Sequence, residues 1–479
     1  MTAAVRSDLA APAEGAAQIA RALAVADPGG TVALRPGLYR ESLVFTRDVT
    51  LVAREGPGSV VIEVPPGGTL LVADGDIRLR GLEIRGGDER ASLIRVVGGR
   101  LRMDTCDLRA TAAVALHLRG GRTRVVGGRI GNPAGAGVVV SAGLAELVGV
   151  ALAGIGGAGL TVSGGATPIL RGCAFTDVEG VGVLAAGTGA ALLDRCRISS
   201  LSSAAVLARA DCRLRMVGSL VDGGQVGLYV ADRARPTVEN CRFRDTAGPA
   251  VVTVDLAAPS LVACVVDSPA GHGLHVSGRS AAEIQRCAVR GSAAAGVVVD
   301  GDARPTLLGG EIVGCGDVGV LLLGASTACL DGVRVHGSPL GVSVEDAAAP
   351  RLVGLDIGDV DVGIQVRESA HPRLSRSRVR GTAGAALVLG PGTRATVTDT
   401  ELVGDRGPGV LVETDRAVSI DGGVIGGTGG EAVRLATQAS RLRMRGVATR
   451  RDGVPGTIAG PGPGPGPMAI PAGRTASRP

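Results

Sequence analysis

The chain contains no tryptophan and no lysine, and only five aromatic side chains: Tyr39, Phe45, Phe175, Tyr229 and Phe243. All 50 basic residues are therefore arginine. Each absence excludes something. Without lysine there is no Schiff-base chemistry, no lysine general base and no phosphate-loop lysine. Without aromatics the core cannot draw on Phe, Trp and Tyr for large buried areas and must be built from Val, Leu, Ile and Ala. No apolar run approaches the roughly 18 residues of a membrane span, so no membrane partner is expected. Strong charge of one sign is missing too: 50 basic against 45 acidic residues leave +5, and the longest basic run is Arg450–Arg451. A nucleic-acid binder concentrates positive charge on one face or tail, so nucleic acid is not an expected partner.

The nine cysteines form no C-x-x-C pair, which removes zinc-ribbon spacing. The first 30 residues carry Arg6, Asp8, Glu14, Arg21 and Asp27 and offer no greasy stretch of secretory-leader type. The expected compartment is the cytoplasm, with reduced thiols. At the other end, Gly460–Pro479 is Pro/Gly low complexity, which can build neither helix nor ladder and reads as a disordered tail.

What the sequence does have is a period. Cys241, Cys264 and Cys287 are 23 residues apart, as are Cys173 and Cys196. The same slot continues as Leu82, Cys106, Gly128 and Val150 upstream, Ser219 between, and Gly310, Val333, Leu355, Ser377, Thr400, Gly423 and Arg445 downstream. That gives 17 anchors with every step between 22 and 24 residues. Three residues before each anchor the side chain is always apolar (Leu79, Met103, Val125 through Ile420 and Leu442). Two residues after it the same holds (Ile84, Leu108, Ile130 through Ile425 and Val447). Between them charge is tolerated, as at Asp107, Arg129 and Glu311. Such alternation is a strand with one buried face.

A second strand precedes each anchor by about 12 residues and reads Gly, apolar, variable, apolar: GVVV at 137–140, GLYV at 227–230, GLHV at 273–276, GIQV at 363–366. Turn residues such as ARP and AAP separate the strands. A unit of short strands cannot bury its apolar face alone, so units stack. The predicted fold is all-β: a single-stranded parallel β-helix solenoid of about 17 or more coils of 22–23 residues. Its predicted organisation is a flexible start (1–13), a cap helix with the first coils (14–80), the β-helix repeats (81–455) and the Gly/Pro-rich tail (456–479).

Turn length and repeat resemble the right-handed parallel β-helices of the pectin-lyase-like superfamily. The opening segment 16–53 resembles that superfamily's start, a short amphipathic helix followed by a G-T-V-x-L-x-P-G-x-Y-x-E strand and turn. Here those positions are Gly30, Thr31, Val32, Leu34, Pro36, Gly37, Tyr39 and Glu41. Ile19, Leu23 and Ala22 or Ala26 lie on one helical face suited to covering the first coil. The resemblance implies the fold and right-handedness, in line with the crossover rule. It does not choose among lyases, hydrolases, epimerases, esterases and non-catalytic modules.

Several features compete as sites. The cysteine column, shared with Gly, Ser, Thr and Val, describes a tight inward slot for small residues; neither metal nor cofactor is expected. Acids follow the second strand in many coils (Asp232, Asp255, Asp300, Asp302, Glu345, Asp346, Glu368, Glu413, Asp415). Arginines such as Arg233, Arg304 and Arg416 follow closely, so a self-neutralising ridge is expected rather than a Ca²⁺ site. His272 and His275 show no orienting carboxylate and read as surface histidines. The resemblance points to no catalytic residue: the Arg-Ile-Lys of polygalacturonase-like chains, the Asp-Phe of pectinesterase-like chains and the Asp-Pro-His of alginate-epimerase-like chains are absent.

The outward column of the second strand runs Val139, Thr161, Leu184, Leu207, Tyr229, Thr253, His275, Val298, Leu321, Ser343, Gln365, Val388 and Leu411. It is too apolar for a plainly solvated face. Scattered surface residues with high β-propensity are one explanation, a binding stripe the other. As a binding stripe its residues would be Leu184, Leu207, Tyr229, His275, Val298, Leu321, Val388 and Leu411. The leading expectation is a non-catalytic cytoplasmic β-helix module that binds a protein partner; the alternative is a lyase or epimerase acting on a uronic-acid polymer.

Overall fold

A computed structural model describes residues 6–8, 18–427, 431–436, 441–451, 454–455 and 458–459. The chain divides into two units, residues 1–247 and 248–479, and both are built from the same right-handed coil, about 18 turns in all. A coil of the first unit comprises strands Ala204–Ala208, Arg215–Val217 and Leu220–Asp222. Its counterpart in the second comprises Val318–Leu322, Cys329–Asp331 and Arg334–His336. Each strand pairs in parallel with its equivalents one coil away. Leu193, Met216 and Val238 share one row, and Ile198, Val221 and Phe243 another. In the second unit Ile284, Leu307, Leu330 and Leu352 repeat the first row, and Val289, Ile312, Val335 and Ile357 the second. All fourteen are buried, as the two apolar columns around the anchor require.

The recurrent glycine of the leading strand answers to space. A Cβ on Gly319 would stand 2.2 Å from Val335 Cγ1, and one on Gly363 would stand 2.3 Å from Val379 Cγ1. The inward residue two places after the anchor fills the room a side chain would need. This narrow cross-section explains why aliphatics suffice for the core.

The residue immediately before the anchor has positive φ in 16 coils, from Gly81 to Gly422. Nine of these are glycine; Thr105, Arg195, Asn240, Ala263, Arg286, Arg376 and Asp399 are not. In the last coil the left-handed residue is Gly446 and Ile420 pairs with Met444, so the register there lies two residues beyond the one expected from Arg445 and Leu442. The left-handed residue turns the chain between two strands and leaves a carbonyl two residues before the anchor. Anchor side chains reach back to it. Cys241 Sγ donates to Glu239 O at 3.4 Å, Ser377 Oγ to Ser375 O at 2.9 Å and Thr400 Oγ1 to Thr398 O at 2.9 Å. The column therefore selects small hydrogen-bond donors as well as small volume.

The opening helix α1 (Gln18–Val25) buries Ile19 and Ala22, with Ala26 beyond its end also buried and Leu23 half-buried. Glu41, the last residue of the opening motif, is buried and accepts from Ile19 N at 2.8 Å and Ala20 N at 2.9 Å. It thereby satisfies two of the orphan N–H groups at the start of α1. Tyr39 Oη donates to Arg35 O at 3.0 Å, which fixes the same turn. Within the stretch expected to be flexible, Arg6–Asp8 forms a strand beside Thr31–Ala33; the rest of residues 1–13 lies outside the described residues.

At the far end the second sheet continues through Ala448↔Val424 and Arg450↔Gly426. The chain then turns back, pairing Val454–Pro455 antiparallel with Arg450–Arg451, and Ile458–Ala459 joins Val433–Arg434. The tail from 460 onward lies outside the described residues. Among the described residues no helix is long and apolar enough to cross a membrane.

Candidate functional site

The expected binding stripe is an outward row in each unit. In the first, Val139, Thr161, Leu184, Leu207 and Tyr229 are in register. In the second, the row runs Val252, His275, Val298, Leu321, Ser343, Gln365, Val388 and Leu411. Val252 thus holds the place expected of Thr253. Thr253 pairs with inward Val276 and is buried, its hydroxyl 2.9 Å from that of Ser280. The coil reads Ala-Val-Val-Thr-Val where its neighbours read Gly-apolar-variable-apolar, and counting from the missing glycine shifts the face by one residue.

Of the eight stripe residues, Val298 and Val388 are only 4% and 7% exposed, and the other six are half-buried. Around Val298 the row packs on its own chain: Ala295, Val298 and Val318 form one buried cluster, with Leu321, Leu323 and Leu340 packed against it.

Acids flank this row. Asp317 and Asp361 precede the leading strands, and Asp300, Asp302, Glu345 and Asp346 follow them. Among the described residues none of these six forms an ion pair. Asp346 instead accepts from Gly324 N at 2.8 Å, and Glu345 accepts from Ser343 Oγ at 2.6 Å. The Glu368 carboxyl is held above the usual carboxylate range by its hydrogen bond with Asp346, by burial, and by the charges of Asp346 and Glu345. The ridge is neutralised in places, where Arg233 meets Asp211 at 2.8 Å in the first unit and Arg416 meets Asp415 at 3.7 Å in the second. Neither Arg304 nor Arg351 forms an ion pair among the described residues. Nor do any three His, Cys, Asp or Glu side chains among them converge as metal ligands.

His275 stands in the outward row beside Val298, and its ring lies edge to face with that of His272, centroids 5.8 Å apart. His272 Nδ1 accepts from Ala295 N at 3.2 Å, which places the ring proton on Nε2 and leaves no tautomer suited to a metal. Burial, then the neighbouring His275, lowers the pKa of His272 against the opposing charge of Asp317. Burial likewise lowers His275 against Asp300.

The first unit carries a different surface. In two of its coils the turn between leading and middle strands is absent, and Val114–Val126 and Ala136–Val148 run as single 13-residue strands, in register apart from a bulge near Arg119. Gly120–Gly121 and Ala142–Gly143 replace the ARP-type turn. The outer face of this sheet is basic. Arg78, Arg102 and Arg124 occupy one row and Arg100 and Arg122 the next. Like charges directly opposite are destabilising. Elsewhere such rows alternate in sign, as in Glu311, Arg334, Asp356, Arg378 and Glu401. Asp76 meets Arg78 and Arg100 at 3.4 Å and Glu146 meets Arg124 at 3.5 Å. Arg102 and Arg122 have no ion pair among the described residues.

Beside these rows sits His117, half-buried, with Nδ1 3.5 Å from Ser92 Oγ and Nε2 3.3 Å from Ser141 Oγ. Burial lowers its pKa, helped by the charges of Arg119 and Arg95. Arg95 pairs with it from the preceding coil, and the Arg95 Nε is buried without a hydrogen-bond partner among the described residues. Sequence reasoning misses this cluster. Its signals are the glycine pairs replacing turn motifs and the in-phase recurrence of arginine.

Cysteines of the anchor column are free and buried, and burial pushes Cys106 and Cys241 up to about 11. Neighbouring thiols split in direction: Cys196 is raised by the Cys173 thiol beside it and by burial, while hydrogen bonds from Cys196 and Cys264 lower Cys173 and Cys287.

A family model described as a right handed beta helix region matches residues 135–289 and 272–441. No curated protein matches. Solved structures that match include the periplasmic alginate epimerase AlgG, at 14% identity over 87% of this chain and 78% of that one, with a TM-score of 0.32. The A-module of the mannuronan C-5 epimerase AlgE4 of Azotobacter vinelandii matches at 15% identity over 92% and 93%, with a TM-score of 0.21. Pectate lyase Pel9A matches at 10% over 77% and 80%, with a TM-score of 0.28. At these identities the likeness is one of fold alone.

Proposed function

The chain belongs to the right-handed β-helix family, and from that premise we propose that its first unit engages a linear uronic-acid polymer on the basic face around His117. One observation carries the reading: His117, its pKa lowered by burial and by the charges of Arg119 and Arg95, stands in register with Arg95, and Arg102 and Arg122 of the same sheet have no ion pair among the described residues. Arginine recognises carboxylates through paired N–H donors. A carboxylate held at Arg95 or Arg119 has its charge compensated, which acidifies the adjacent C–H. Neutral His117 is then placed to accept that proton. Loss of the glycosidic oxygen gives lyase chemistry; return of a proton gives epimerisation.

Incubation with uronic-acid polymers, with and without Ca²⁺, tests this by absorbance of unsaturated products and by deuterium uptake from solvent. His117→Gln is expected to retain polymer binding and to lower turnover by about 10²-fold or more. A wild-type chain that neither binds nor exchanges would overturn the reading.

A second reading, a cytoplasmic module for a protein partner, is favoured by the half-buried apolar side chains Leu321, Leu323 and Leu340 on the outward side of the second unit. All nine cysteines are free, as a reducing compartment would keep them. Charging Leu321 and Leu340 is expected to abolish partner capture or self-association while the fold survives; charging buried Val298 would destabilise the fold itself.

A further inference from the structure

The flattened coils of the first unit do more than line up arginines: they set two hydroxyls against one imidazole. We infer that Ser141, His117 and Ser92 form a nucleophilic relay that hydrolyses O-acyl esters on an acidic glycan; the inference rests on the acidic-polymer reading for its substrate class and not for its chemistry. His117 Nε2 lies 3.3 Å from Ser141 Oγ, and its Nδ1 lies 3.5 Å from Ser92 Oγ. Three consecutive coils contribute one group each, from strands Ser92–Val96, Val114–Val126 and Ala136–Val148. A hydroxyl within reach of a base whose far side is held by a third group is the arrangement that activates a serine.

A bulge aims the nucleophile. Leu118 pairs with Val140 and Arg119 with Ala142, so Ser141 is the extra residue between two successive pairs. Such an insertion re-aims a side chain, and here the hydroxyl meets the ring. Ser141 and His117 are half-buried on the outer face, whereas Ser92 is only 5% exposed. Ser92 is also fixed from behind, since Thr69 Oγ1 donates to its carbonyl at 2.8 Å. A shielded hydroxyl held in this way accepts from Nδ1–H and keeps the lone pair of Nε2 directed at Ser141. Burial, with the charges of Arg119 and Arg95, favours the neutral ring, the form that can take a proton.

The two arginines also choose the ester. A free carboxylate pairs with a guanidinium and, being charged, is a poor electrophile. The reacting carbonyl is therefore an acyl group carried on a hydroxyl of the same polymer. Ser141 Oγ attacks that carbonyl carbon as its proton passes to His117 Nε2. A carboxylate held at one guanidinium leaves the other to oppose the charge on the oxyanion. The bond between the acyl carbon and the sugar oxygen breaks, the departing oxygen takes the proton from Nε2, and the acyl group stays on Ser141. Water then attacks the acyl-serine with His117 as base, the bond to Oγ breaks, and Oγ recovers a proton from the imidazolium. The products are a free sugar hydroxyl and a carboxylic acid, with water as the co-reactant.

The test gives the full chain 4-nitrophenyl acetate, an O-acetylated polyuronate and a methyl-esterified polyuronate of matched length, and follows nitrophenolate, acetate and methanol. The first two are expected to be hydrolysed and the methyl ester to be left intact. A fluorophosphonate, which loses fluoride to an activated serine, is expected to leave one adduct, located on Ser141 by tandem mass spectrometry. Ser141→Ala should abolish the adduct and lower ester hydrolysis by about 10²-fold or more. Ser92, a positioning residue, should lower it by about tenfold as Ser92→Ala and shift the pH of half-maximal rate, which loss of packing alone would not move. The adduct on the wild-type chain decides the matter even if Ser141→Ala melts early. No adduct on Ser141, unchanged hydrolysis by Ser141→Ala, or equal hydrolysis of the methyl ester overturns the inference. Deuterium uptake from solvent without ester hydrolysis keeps the acidic-polymer reading and removes the serine chemistry; nitrophenolate release with a Ser141 adduct but no polymer binding does the reverse.

Discussion

Two stretches of one repeat, one in each unit, solve the same packing problem and present opposite surfaces. Around Val114–Val148 the turns flatten, the outer face carries rows of arginine, and its one histidine sits between hydroxyls. Around Ala295–Leu340 the turns return, the outer face packs half-buried leucines on a buried Ala295, Val298 and Val318 cluster, and acids such as Asp300, Asp317 and Asp346 flank it with no ion pair among the described residues. The inward columns hardly differ: Val125 and Leu147 in the one, Leu307 and Leu330 in the other, all buried. A β-helix thus separates the two tasks of its sequence. Inward positions are fixed by stacking, and outward positions are free to carry function because the period does not depend on them.

The largest expected effect breaks the basic face. Arg102→Gln with Arg122→Gln removes two arginines that have no ion pair among the described residues, so no stabilising pair is lost with them. Affinity for a uronic-acid polymer should fall by about 10- to 100-fold at low salt, and the slope of affinity against salt by about two. The same change relieves like-charge opposition along the rows, so the melting temperature should hold or rise. Isothermal titration across a salt series, with thermal melts, reads both; an affinity unchanged in the double variant would show that these arginines do not hold the polymer.

A smaller effect comes from pH and separates the units by their histidines. His272 and His275 are both lowered from the ordinary value of 6.5. Their neutral forms therefore favour the folded state, a contribution fully present above 6.5 and lost as pH falls below 6.5 towards the depressed values. Protonating His272 also removes the acceptor for Ala295 N. The second unit should lose stability between about pH 7 and 5, and His272→Gln should flatten that dependence. The first unit contains His117, lowered in the same direction, and should respond less. Hydrogen exchange at about pH 7 and pH 5, resolved by unit, measures the difference; an equal response would assign the effect to something other than the histidine pair.

Much of this architecture is legible in the amino-acid sequence. The anchor column, its two apolar neighbours and the opening motif predict coil, register and cap, because inward positions obey one rule in every turn. Even Glu41 is marked by the motif, although its role at the start of α1 emerges only from the fold. The outward faces are less legible. A single absent glycine at Ala250 assigns Thr253 to the wrong face, and Arg304, expected to neutralise its acidic neighbours, forms no ion pair among the described residues. His117 escapes notice because its partners come from Ser92 and Ser141, 25 and 24 residues away. Adjacent coils bring residues about 23 apart together throughout, but the outward partner of a given residue shifts where a coil departs from the common turn, and the pairs that mark this, such as Gly120–Gly121, look like any other glycine.

The smallest expected effect concerns the sixteen left-handed positions before the anchors, where the two units should behave alike. Ala263 sits at φ 51° and Arg286 at φ 50°. A side chain in that region costs roughly 1–2 kcal/mol because Cβ approaches the following carbonyl. Glycine removes that cost but adds about 0.4–1 kcal/mol of unfolded-chain entropy. The balance favours glycine by about 0.5 kcal/mol, so Ala263→Gly should stabilise, against the usual effect of glycine in a sheet. Thr105→Gly offers the same test in the first unit, at φ 47°. Asn240→Gly should gain less, since asparagine tolerates this conformation better than alanine or threonine does. Chemical denaturation of the three variants, compared with the wild type, sets the order. If Ala263→Gly destabilises instead, the column's glycines are there for close packing between coils and not for the turn.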